Sequence, residues 1–247
     1  MELDPQLLAE IRRKITTFRR DEILEAVRLS ETFPPPAGEP GDVFSQVIHD
    51  IALHAESLED WRLCAGLYER ALRYPVNTAR IRVGNWYRYG LCRERMAHYR
   101  EAIEAYRRVT GEAEAWPYVT ALARWRLAGL LLAAEDFSAA VEHLRALLPA
   151  LPHPEIPLAP VEIELARCEF KLGNPAGARA RLETLLDQET HGQFGVAGLC
   201  LLAEICMTAG DRDREAACYE RIIQNEYAEL HIKLAASHRL SQIRAGR

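Results

Sequence analysis

Apolar and polar positions along this chain follow the 3.6-residue period of amphipathic helices, and the pattern itself recurs at a longer interval. Three segments share one frame: MAHYREAIEAYRRV around Ala102, AAEDFSAAVEHLRALL around Ala140 and KLGNPAGARARLETLL around Ala178, with the alanines 38 residues apart. In each, an apolar residue follows four positions later, namely Tyr106, Leu144 or Leu182. The same step backwards reaches Cys64, followed by Tyr68 and Ala71. A step of 37 forwards reaches Glu215, where Tyr219 and Ile222 keep the apolar frame although the small residue is lost. Twelve residues before these sites stand Ala52, Gly90, Ala128, Ala166 and Ala203, preceded by Ile51, Tyr89, Leu127, Leu165 and Leu202.

The pattern predicts two helices per unit that meet at the small residues. Paired helices ~8–10 Å apart leave no room for a large side chain at their closest approach. Cap chemistry marks the same joints: Gly173 ends a helix, Asn174 caps the next and Pro175 suits its first turn, while Gly210 and Asp211 repeat the stop and start. Five such pairs fill residues 42–226. Before them, Leu7, Leu8, Ile11, Ile15, Phe18, Ile23, Leu24, Val27 and Leu29 predict a helical hairpin over residues 1–33, set off by a Pro/Gly linker at 34–41. After them, Leu230, Ile232, Leu234, Ala235, Leu240 and Ile243 predict a capping helix within 227–247 that covers the last core edge. The total is roughly thirteen helices.

Trp86-x2-Tyr89-Gly90 with Ala102-x3-Tyr106, and Ala140-x3-Leu144 followed by Pro152, resemble the tetratricopeptide repeat. The departures are a 38-residue period against the family's usual ~34 and Arg93 where an aromatic is common. The resemblance implies an all-α, right-handed solenoid of stacked antiparallel helix pairs, working as a protein-binding scaffold or adaptor without chemistry of its own.

In such an array the first helix of each pair lines a concave groove. The residues at matching phase are His49, Tyr87, Trp125 and Ile163; then Leu53, Leu91, Gly129 and Arg167; then Glu56, Glu94, Leu132 and Phe170. Arg88 and Arg126 hold equivalent places beside them, so the groove mixes aromatics with arginine, the residues that dominate binding hot spots. That composition predicts capture of a protein segment or helix of acidic and apolar character. A purely architectural reading instead buries Tyr87 and Trp125 between helices and pairs the arginines with Glu94, Glu101 or Glu164. A grip on a C-terminal carboxylate, as some family members use, is not expected, because His49, Leu53, Tyr87, Leu91 and Trp125 occupy the relevant turns.

Composition narrows the partner. Thirty-one basic residues against 36 acidic ones give a net charge of −5, which argues against nucleic acid and anionic membrane surfaces. Lys14, Lys171 and Lys233 are the only lysines, a bias that fits a GC-rich bacterial genome. Charge is nonetheless uneven: residues 79–108 carry a net +5 and residues 1–60 a net −7, so a head-to-tail homo-oligomer is one alternative. An accessory subunit of an enzyme complex is another. The sequence holds no G-x4-G-K-[ST], G-x-S-x-G or H-E-x-x-H motif, so neither catalysis nor a cofactor is expected. His49, Asp50 and His54 are spaced wrongly for a metal. Cys64, Cys92, Cys168, Cys200, Cys206 and Cys218 form no CxxC pair and read as reduced core thiols; Cys92 with His98 and Cys200 with His191 lack an orienting third group. MELDPQLLAEIRRK has no continuous apolar stretch, which predicts neither signal peptide nor membrane span and hence a cytoplasmic protein.

Overall fold

A computed structural model describes residues 4–33, 41–187 and 192–246; residues 34–40 of the linker predicted at 34–41, and His191, lie outside them. Among the described residues the chain is all-α, with thirteen α-helices and no strand: α1 (Pro5–Ile15), α2 (Arg20–Ser30), α3 (Asp42–Ala55), α4 (Trp61–Arg73), α5 (Ala79–Arg95), α6 (Tyr99–Gly111), α7 (Pro117–Ala133), α8 (Phe137–Leu147), α9 (Leu158–Lys171), α10 (Pro175–Asp187), α11 (Gln193–Thr208), α12 (Arg212–Gln224) and α13 (Leu230–Ala245). None is long and apolar enough to cross a membrane. The helices form two compact units, Met1–Leu130 and Leu131–Arg247.

In the first unit α1 packs with α2, α3 with α4 and α5 with α6, and α4 packs on α5 to join successive pairs. The core runs through Ile11, Ile23, Ile48, Ile51, Tyr68 and Cys92. The second unit repeats the plan with α9 against α10, α11 against α12 and α13 against α12, around Ala166, Leu182, Leu202 and Cys206. Ala52, Ala128, Ala166, Cys64, Ala102, Ala140 and Ala178 are all fully buried. Gly90 gives the steric reason: a Cβ there would stand 2.8 Å from Tyr106 Cε1 and 3.2 Å from Ala105 Cβ, so α5 and α6 can approach only across a glycine.

One turn recurs between the helices of each pair. Its first residue has positive φ and its second precedes the next helix: Glu59 (56°) with Asp60, Ala97 (59°) with His98, Glu135 (60°) with Asp136, Gly173 (83°) with Asn174 and Gly210 (71°) with Asp211. The left-handed residue turns the chain, and the following amide reaches back to a carbonyl five residues earlier, as in His98 to Arg93 (2.8 Å), Asp136 to Leu131 (2.9 Å), Asn174 to Glu169 (2.8 Å) and Asp211 to Cys206 (2.9 Å). Asp60, Asp136, Asn174 and Asp211 then accept from backbone amides three residues on, those of Leu63, Ala139, Gly177 and Arg214. Two of these turns carry glycine and three do not, which is why only two were visible as helix stops.

Helix α13 departs from expectation. It rests on the second unit through Ala236, Leu240 and Ile243, but Leu230 and Leu234 are 72% and 61% exposed and Ala235 faces solvent too. Its apolar residues lie on two sides, and one side only is covered.

Candidate functional site

The face presented by α3, α5 and α7 in the first unit is built on a polar device that appears twice. Glu56, just past the end of α3, accepts from the Tyr68 hydroxyl of α4 (2.7 Å) and from Arg88 Nη1 of α5 (3.0 Å). Thirty-eight residues on, Glu94 near the end of α5 accepts from the Tyr106 hydroxyl of α6 (2.6 Å) and from Arg126 Nη1 of α7 (3.1 Å). Each carboxylate thus ties both helices of its own pair to the first helix of the next. Burial, reinforced by the adjacent glutamate, pushes both tyrosine hydroxyls far above their ordinary pKa, so they remain donors. Burial alone would lower the Arg126 guanidinium, but Glu94 and the tyrosines around it hold it above its usual value.

Beneath these triads, ring contacts recur at the same phase: His49 meets Tyr68 edge-on at 5.5 Å between centroids, and Tyr87 meets Tyr106 at 6.1 Å. The Asn85 amide donates to Ser45 Oγ (3.0 Å), which donates to the Ala71 carbonyl (3.0 Å); the Asn85 oxygen therefore accepts from His49 Nδ1 (2.7 Å). Burial lowers the His49 pKa below its ordinary 6.5, keeping the imidazole neutral. His49 is a hydrogen-bonded interior group, and the nearby His54 gives its Nδ1 to the Asp50 carbonyl.

The expected groove residues therefore separate. Tyr87, at 7% exposure, is core: it packs on Tyr106 beside Arg126, as the architectural reading anticipated. Ile163 belongs to the second unit and is 3% exposed because α11 covers it, with Gly198 close by, so it presents no surface either. Arg167 pairs with Glu164 at 3.0 Å and Phe170 is half-buried with the Lys171 ammonium 5.6 Å from its ring; both stand in the second unit. The first unit keeps Leu53 (37% exposed), half-buried Leu91 and Trp125, and Gly129, above which a Cβ would meet open space. Arg88 and Arg126 retain 35% and 38% of their side-chain surface beside them. Arg126 with Glu94 and Arg167 with Glu164 match two of the ion pairs foreseen; Arg88 with Glu56 does not, since Glu56 was expected to line the groove.

Five of the six cysteines are buried, and burial pushes the thiols of Cys168 and Cys218 up to about 11 and about 12. Cys200 is exposed, contrary to its expected place in the core, because it falls on the outward side of α11.

The family model described as tetratricopeptide repeat matches residues 90–153 and 163–228, more than half of the chain. No curated protein matches in sequence. Among solved structures, YrrB, described as "a TPR protein with an unusual peptide-binding site", aligns with a TM-score of 0.62 at 12% identity over 78% of this chain and 91% of its own. PilF of Pseudomonas aeruginosa aligns with a TM-score of 0.55 at 15% identity, covering 98% of both chains. PilW, a "widely conserved type IV pilus biogenesis factor", gives 0.54 at 15% identity over 94% of this chain and 99% of its own. At such identities the likeness is one of fold.

Proposed function

Since the chain belongs to the tetratricopeptide repeat family, we propose that it is a protein-interaction scaffold whose first unit binds a partner segment of acidic and apolar character along the face of α3, α5 and α7. The observation that carries this reading is the half-exposed strip of Leu53, Leu91 and Trp125 flanked by Arg88 and Arg126. Aromatic and aliphatic side chains anchor a segment by burial, and a guanidinium already oriented by a carboxylate accepts a further acidic group with little loss of rotamer freedom. The fold relative YrrB, described as having a peptide-binding site, supports the class of ligand. The reading assigns no reaction to the chain.

The test uses peptides selected from a random display library on the intact protein, with affinities measured by fluorescence anisotropy. Acidic peptides with one or two large apolar residues are expected. Gly129→Trp fills the open space above Gly129 without touching the core and should leave melting unchanged, and Trp125→Ala removes the anchor; each should weaken binding at least about tenfold. Selected peptides that bind both variants as tightly as the parent chain refute the proposal.

A further inference from the structure

The second unit holds a cavity that the binding face of the first unit does not use. It has a volume of about 500 Å³ and is bordered by α9 and α10, with Leu158 and Leu185 as apolar wall and Glu162, Glu169, Asn174 and Arg181 as polar lining. Ligand sites are typically ~300–1,000 Å³ and combine such walls with a few fixed polar groups. None of these residues shares the groove phase of Ile163, Arg167 and Phe170. Leu158 is 45% exposed, so the wall reaches the surface.

The polar lining is unevenly satisfied. Arg181 donates through Nε and Nη2 to the two oxygens of Glu169 (3.3 and 2.9 Å) and through Nη1 to Glu162 Oε2. Among the described residues no hydrogen bond reaches Glu162 Oε1, although that side chain is only 21% exposed. Two carboxylates therefore share one guanidinium. Arg145 of α8 comes only to 3.6 Å from Glu169 and is 61% exposed, a contact of little weight in solvent. The lining thus keeps an excess of negative charge and a spare carboxylate acceptor beside apolar walls. We propose that this pocket takes an arginine side chain of a partner segment, its guanidinium on Glu162 Oε1 and its methylene stem against Leu158 and Leu185. Arginine suits the place better than lysine, because a guanidinium is more weakly hydrated than an ammonium and meets carboxylates in a fixed plane. Asn174, whose Oδ1 caps α10 through the Gly177 amide (3.0 Å), keeps its amide nitrogen as a donor for the backbone carbonyl beside that arginine.

Methyl NMR of the intact protein, following Leu158 and Leu185, tests this with three probes at millimolar concentration: N-acetyl-leucyl-arginine amide, its glutamine counterpart, and propylguanidine, which carries the cation without a backbone. The arginine dipeptide should bind at least about tenfold tighter than the glutamine one, with propylguanidine between them. Glu162→Gln removes the charge and keeps an oxygen for Arg181, and Leu158→Lys sets a cation on the exposed rim; each should cut the preference for arginine to about threefold or less. Equal binding of the two dipeptides, or no shift with any probe, overturns the proposal and leaves Glu162, Arg181 and Glu169 as an ion network that serves the fold alone. A preference unchanged by both substitutions overturns the placement of the guanidinium on Glu162. Propylguanidine that binds as tightly as the arginine dipeptide overturns the partner segment in favour of a free cation.

Discussion

Ala97 occupies the left-handed position of the α5 to α6 turn at φ 59°, in the same geometry that Gly173 occupies two repeats on at φ 83°. An L-residue there pays about 1–2 kcal/mol for the approach of its Cβ to the following carbonyl. Ala97 is exposed and its side chain is a single methyl group, so Ala97→Gly reports chiefly the backbone effect. Glycine returns about 0.5–1 kcal/mol of that relief through the greater entropy of its unfolded chain. The expected net is a stabilisation of roughly 0.5–1 kcal/mol, or about 1–4 °C in melting temperature for a chain of this size. Gly173→Ala should cost about 1 kcal/mol by the same argument in reverse. Urea unfolding followed by circular dichroism measures both. An Ala97→Gly protein no more stable than the parent, beside a Gly173→Ala protein that loses nothing, would refute the assignment of these turns as strained.

Other substitutions probe packing and charge. Gly90→Ala should destabilise by about 1–3 kcal/mol in chemical denaturation, because its Cβ would meet the fully buried Tyr106 ring at 2.8 Å. Arg181→Ala removes two hydrogen bonds from Glu169, a carboxylate 8% exposed, and should cost about 2–3 kcal/mol, with Arg181→Lys restoring part of it. His49 has a lowered pKa in the folded chain, so the unfolded chain binds the proton first. Stability is then full above pH 6.5 and falls as the pH drops below it, and a His49→Gln variant should lose less between neutral and mildly acidic buffer.

The repeat was legible because few residues fit where two helices meet. Ala52, Gly90, Ala128 and Ala166 announce the crossing points at one interval, and a steric demand that strict survives translation into sequence. Exposure was not legible in the same way. Tyr87 and Trp125 share a phase, yet one is buried and the other half-open, since helical phase alone does not specify which neighbours cover a position. The Glu56, Tyr68, Arg88 set was in view residue by residue, with its copy at Glu94, Tyr106 and Arg126. What pattern reading missed is that the three form one unit, because its members are separated by 12 and 32 residues and recur only twice. For α13, apolar residues on both sides leave helical periodicity no means of choosing the covered one.

The two Tyr–Glu–Arg triads also bear on mechanics. Apolar contacts between neighbouring helix pairs are non-directional, whereas a carboxylate held at 2.6–3.1 Å by donors from two other helices is a directional contact that shear or twist must distort. The first unit should therefore resist deformation most at these two riveted joints. At the third equivalent place Leu132 and Leu144 replace the glutamate and tyrosine, and no such rivet can form. Under tension the riveted joints should hold until they fail abruptly, so that stretching the first unit yields a brittle, single-step rupture instead of gradual uncoiling.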